Sequence, residues 1–153
     1  MPFCQRCSGL YIGAFVCVAL HLILRPGLGG RFIAAHGLFL LIAAPFGFHW
    51  IPDGPALRAM TGVLCGFGIG TFLWLVPGTA WGWADGSGRS AANWGYAAGL
   101  GAVLLLVPLA AGHGGAAGGR VLEGLAAAGV VALAGLVLAN AAFGLRGVAR
   151  LRA

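Results

Sequence analysis

Five apolar runs, each near the length that crosses a bilayer, dominate this chain and leave it little polar surface to turn toward water. A hydrocarbon core of about 30 Å takes roughly 20 residues of helix. Runs over about 8–24, 32–51, 56–76, 94–111 and 121–143 approach or meet that length, the first being the shortest. Folding them into a water-soluble core would need a polar outer layer. Here 60% of residues are hydrophobic and 8% charged, against about a quarter charged in soluble proteins. Lipid can supply the missing outer layer. The sequence therefore predicts an all-α fold, a polytopic transmembrane helix bundle of about five spans, with one membrane domain over 1–153 and no soluble domain.

The breaks between the runs are RPGLGGR, IPDGP, PGTAWGWADGSGRS and GHGGAAGG, and Gly, Pro and Ser at that density end helices and make turns. Asp53 is placed to cap the third helix, with Pro55 in its first turn. Pro45 deprives the Leu41 carbonyl of its donor and should bend the second helix. Trp50, Trp74, Trp81, Trp83 and Trp94 fall at expected span ends, as in an aromatic belt. The first run lacks a small-x-small cleavage site, so it reads as a span and not as a signal peptide. All nine basic residues are arginines. They stand singly at segment ends, which argues against a nucleic-acid partner.

With alternating spans, Arg25, Arg31, Arg89, Arg146, Arg150 and Arg152 lie on the face opposite the N-terminus, and Arg6, Arg58 and Arg120 on the N-terminal face. Positive charge collects on the cytoplasmic side. The N-terminus is thus expected outside and the C-terminus in the cytoplasm.

That topology gathers chemistry on the N-terminal face. Cys4, Arg6 and Cys7 open the chain there; His49, Trp50, Asp53 and Arg58 return to it, and His113, Arg120 and Glu123 follow. Three readings fit. Cys4 and Cys7 can give two thiolates to a zinc ion, with His49 and Asp53 (or His113) completing a tetrahedron. The same pair can cycle through a disulfide, with Cys4 and Cys7 catalytic and the Cys7 thiolate favoured by the helix start and by Arg6. The third reading is structural: small residues at an interface or a static disulfide. A single Cys-x-x-Cys leaves all three open.

The string Pro2-Phe3-Cys4-Gln5-Arg6-Cys7-Ser8-Gly9-Leu10-Tyr11-Ile12-Gly13 resembles the motif Pro-x-Cys-x-Arg-Cys-x-Gly-x-Tyr-x-Gly. That motif belongs to an uncharacterised family, a domain of unknown function, of small predicted membrane proteins in bacteria and archaea. Asp53-Gly54, then Arg58-Ala59-Met60-Thr61-Gly62 and Gly66, are similar to the family's second block, so the likeness runs over about 2–70. The resemblance implies a prokaryotic cell (inner) membrane and marks Cys4, Arg6, Cys7, Asp53, Arg58 and Thr61 as a unit. Members usually carry Cys-His-Gln some tens of residues upstream of the position of Cys4. This sequence begins after that point, so a metal site using that stretch would be incomplete here.

Several further residues have mainly packing explanations. Asp53 and Arg58 can form an ion pair, which an intramembrane charge favours. Cys17 and His21 share a helix face, with His36 at similar depth on the next helix. Such groups are more often hydrogen-bonded within a bundle than metal ligands. Asn140 is expected to bond to a neighbouring helix. Gly9 and Gly13, and Gly62, Gly66 and Gly70, form small-residue ladders for helix packing. They could also join copies of the chain as a homo-oligomer in the bilayer. The leading expectation is a structural or metal-binding cap, more in keeping with binding than with catalysis. A membrane thiol–disulfide oxidoreductase is the alternative, and a small transporter or transporter subunit is the second.

Overall fold

A computed structural model describes residues 4–48, 50–52, 54–82, 90–113 and 115–151. It is all-helical: α1 Gln5–Leu24, α2 Gly30–Gly47, α3 Pro55–Ala80, α4 Ser90–His113 and α5 Gly115–Leu151. All five are long and apolar enough to cross a membrane, making this a multi-pass membrane protein. Each helix overlaps one of the expected runs, with ends lying outward of it at most boundaries. The 37 residues of α5 rise about 55 Å at 1.5 Å each, well beyond a bilayer core.

The N-cap residue of α3 is Gly54, with Pro55 in the first turn as expected; Asp53, the expected cap, lies outside the described residues. One local expectation is corrected. Pro77 was expected to end the third span, yet α3 continues through it to Ala80. A proline in a helix leaves the carbonyl four residues back without its donor. Here that carbonyl belongs to Leu73, and Asn140 Nδ2 of α5 donates to it at 2.7 Å. The side chain from the last span thus supplies the bond that Pro77 removes. Asn140→Leu should cost about 1–2 kcal/mol. Thermal unfolding in detergent should show a smaller loss in a Pro77→Ala background, where the Leu73 carbonyl regains a backbone donor. Equal losses in the two backgrounds would refute the link.

The longer α3 also moves Trp74 indoors. It is 3% exposed, packed with Leu28 and Leu136, and does not belong to an aromatic belt. Trp50, Trp81 and Trp94 are exposed, while Trp83 lies outside the described residues.

The centre of the bundle is the α1–α3 pair. A Cβ on Gly9 would run into the Ala59 carbonyl, and one on Gly13 would lie 2.5 Å from the Val63 carbonyl oxygen. Reciprocally, Gly62 faces the Arg6 carbonyl and Gly66 the Leu10 carbonyl. Gly70 meets Cys17 Sγ. Partners advance by four residues on both helices in the same direction, so α1 and α3 run parallel. Gly129 of α5 presses on the Tyr11 backbone from another side of α1. These glycine faces are therefore occupied within one chain, and the oligomer expected through them would need other surfaces.

At the opposite end of α1, Arg25 takes a left-handed conformation (φ 49°) and its N–H bonds to the His21 carbonyl. Pro26, Gly27 and Leu28 then turn inward and are buried. A buried backbone N–H needs a partner; that of Gly27 donates to Asn93 Oδ1 of α4 at 3.1 Å.

Candidate functional site

Helix α1 starts three residues earlier than its apolar run suggests, and this decides the chemistry of the cysteine pair. Cys4 is the N-cap residue, and its Sγ accepts the Cys7 backbone N–H at 3.3 Å. The first N–H groups of a helix have no carbonyl partner, so a sulfur in this place satisfies one of them. The two sulfurs are 2.9 Å apart, both cysteines are free, and both are exposed. Because the Cys7 N–H already points at Cys4, negative charge is best held on Cys4. The neighbouring Cys7 thiol, then the Cys7 N–H and the nearby Arg6, keep the Cys4 thiol below its ordinary range. The sequence favoured Cys7 as the stabilised thiolate; the geometry gives that part to Cys4.

Around the pair lies a cavity of about 400 Å³ lined by Cys4, Gln5, Arg6, Cys7 and Arg58. The start of α1 and the first turn of α3 meet here, so Arg58 joins the thiols despite its distance in sequence. Thr61 sits one turn deeper and donates to the Leu57 carbonyl of its own helix at 2.9 Å. It lines a second cavity of about 380 Å³ with Arg6, Leu10, Leu40 and Cys65. Of the expected zinc ligands, Cys4 and Cys7 are adjacent; His49 and Asp53 lie outside the described residues, as does the side chain of His113. No group of three His, Cys, Asp or Glu side chains suited to a metal occurs among the described residues.

A second polar cluster lies in the interior. His21 and His36 each point Nδ1 at a carbonyl one turn back on their own helix, Cys17 and Phe32 respectively, both at 2.8 Å. A carbonyl only accepts, so Nδ1 carries the proton in both rings. His36 Nε2 is then an acceptor, and the Tyr96 hydroxyl donates to it at 2.9 Å. Thr71 Oγ1 lies 3.2 Å from the Tyr96 oxygen. Cys17 Sγ is 3.4 Å from each of these hydroxyls and donates to the Phe67 carbonyl at 3.5 Å. His21 Nε2, by contrast, is buried without a hydrogen-bond partner, beside the rings of Phe32, Trp74 and Tyr96. The sequence brought Cys17, His21 and His36 to one depth. It missed Thr71 and Tyr96, which join them; the signal for Tyr96 was Asn93 three residues earlier, marking an inward-facing polar edge on α4.

Residues 1–72 match the family described as "Predicted membrane protein (DUF2085)", whose function is unknown. No curated protein and no solved structure matches the chain. The matched part holds the cysteine pair, Arg6, Arg58 and both glycine ladders, so it is on the α1–α3 half of the molecule that the chain is similar to a predicted membrane protein.

Proposed function

We propose that this chain is a membrane dithiol protein whose Cys4 and Cys7 cycle between two thiols and one disulfide at the lipid–water boundary. The observation that carries this reading is the N-cap geometry. Cys4 Sγ accepts the Cys7 N–H, and the Cys7 thiol waits 2.9 Å away. In exchange, the Cys4 thiolate attacks one sulfur of a partner disulfide and forms a mixed disulfide. Cys7, giving up its proton, then displaces the partner's second thiolate. In this direction Cys4–Cys7 is oxidised by two electrons, the partner disulfide is reduced, and two protons pass to the partner's sulfurs. In reverse, a partner dithiol reduces the Cys4–Cys7 disulfide and passes it two electrons and two protons. The arginine distribution supports an orientation in a prokaryotic cell membrane with this pair outside and the C-terminus in the cytoplasm. A disulfide persists on the outer side.

Thiol trapping in intact cells tests the proposal. Oxidised and reduced Cys4–Cys7 should both be captured, in proportions that follow added oxidant or reductant. A pair alkylated completely under every growth condition would reject it. Zinc retained by the wild type and lost from a Cys4→Ser/Cys7→Ser variant, with the pair never oxidised, would replace it with the metal cap.

Reactivity against pH supplies a further check. Thiolate is the form that alkylates, and an ordinary cysteine reaches half thiolate near about pH 8.5. With Cys4 held lower, its alkylation rate should level off at a lower pH than that of a free thiol. Cys7→Ala removes the thiol neighbour and should shift the profile upward, slowing Cys4 several-fold near about pH 7. An unchanged profile would contradict the assignment.

A further inference from the structure

Once a partner dithiol has reduced Cys4–Cys7, the pair needs an acceptor for the two electrons it holds, and the surroundings of Cys4 suggest the chemical class. The cavity over the sulfurs has Gln5, Arg6 and Arg58 on its wall beside the two cysteines. Gln5 also lines a neighbouring groove of about 510 Å³, formed with Pro55, Ala56, Met60, Leu104, Leu105 and Leu109. Among the described residues that line the groove, Gln5 alone has a polar side chain. Leu105 and Leu109 are 65% and 56% exposed, on helix surface that a bilayer covers, so the groove opens to lipid. The arginine-walled cavity and the apolar groove thus share Gln5 as a common wall.

The geometry points to a lipid-soluble quinone as the electron acceptor of the Cys4–Cys7 pair, its ring beside the sulfurs and its isoprenoid tail in the groove between α1, α3 and α4. This rests on the dithiol reading and gives that site its substrate class. The chemistry balances. Two S–H bonds break, one S–S bond forms, and two electrons and two protons convert the quinone's two carbonyl oxygens into the hydroxyls of a quinol. The oxygens gain negative charge as electrons arrive, and two guanidinium groups on the cavity wall are suited to that charge. A tail that stays in lipid fits a groove whose described lining is apolar except at Gln5. An anionic phospholipid could also use arginines and an apolar groove, but it would make no use of paired thiols.

The test uses the full-length purified chain, reduced, with decylubiquinone as the probe. One quinol should appear for each Cys4–Cys7 disulfide found by mass spectrometry of the N-terminal peptide. Narrowing the groove with Leu109→Trp should raise the half-saturating quinone concentration about tenfold. Leu105→Trp, on the same lipid-facing rim, provides a second variant if the first does not fold. Diamide, which oxidises thiols without needing a groove, separates the two levels of argument. If diamide closes the disulfide and decylubiquinone does not, the quinone assignment falls and the dithiol reading stands. If diamide leaves the pair reduced, the dithiol reading itself falls. The quinone assignment is also overturned if folded Leu109→Trp and Leu105→Trp proteins saturate like the wild type. It is equally overturned if native mass spectrometry finds an anionic phospholipid that decylubiquinone does not displace.

Discussion

Gly66→Leu should yield no folded protein, or protein destabilised by at least about 3 kcal/mol, the upper end of overpacking costs. The reason lies in what the new side chain would meet. A Cβ at Gly66 would strike the Leu10 carbonyl and come within 2.7 Å of the Ala14 nitrogen. Both are backbone atoms of α1, which cannot rotate aside as a side-chain tip can, so whole helices must separate. Separation would strip packing that lipid replaces poorly, since close approach through small residues is what holds such helices together. Gly101 is the control: nothing lies within 4 Å of its virtual Cβ. Gly101→Ala should be neutral or gain about 0.5–1 kcal/mol, the ordinary advantage of alanine over glycine in a helix. Heating the detergent-solubilised proteins before size-exclusion chromatography measures both. Wild-type thermal stability in Gly66→Leu would mean the α1–α3 contact is not as close as described.

The second large effect belongs to the interior cluster. Tyr96→Phe leaves His36 Nε2, fixed as an acceptor by its Nδ1–H bond to Phe32, without a donor. A buried polar group stranded this way costs about 1–3 kcal/mol. Removing both partners, as in Tyr96→Phe with His36→Leu, should recover most of that loss, because neither polar group then remains unmatched. His21 should behave oppositely. Its Nε2 is already unpaired, so His21→Phe is expected to be neutral or stabilising among Phe32, Trp74 and Tyr96. A double-mutant cycle on thermal unfolding reads all of this. If the Tyr96→Phe and His36→Leu losses simply add, the hydrogen bond between them contributes nothing.

Much of this architecture was legible because apolar length is a strong signal: lipid demands about 20 residues per crossing, and the five runs are separated by helix breakers. What was not legible came from helix ends. The first run was taken to begin at Ser8, which put Cys7 at the helix start. The observed helix begins at Gln5, so Cys7 becomes the donor of an N–H and Cys4 its acceptor. At the other side, Pro77 read as a terminator because its missing N–H ordinarily weakens a helix. The compensating donor, Asn140, lies 63 residues away and no local pattern announces it. That single misplacement carried Trp74 to the apparent membrane edge. The meeting of Arg58 with Cys4 and Cys7 followed from alternating spans alone. Tyr96 was marked only by Asn93 three residues earlier, and its partners Cys17, Thr71 and His36 come from three other helices.

The parallel α1–α3 seam also bears on movement. With backbone set against backbone along three helical turns, these two helices can neither slide nor tilt apart without losing the contact altogether, and α5 is pressed into the same block at Gly129. Helix α2 is different. It lies along α3, buries only His36 and Ala43, and meets α4 at Tyr96, through the hydrogen bond to His36 and the ring of Phe32. Next to α1 and α3, that outer leaf has few buried residues to lose by moving, while the thiols sit on the α1–α3 block.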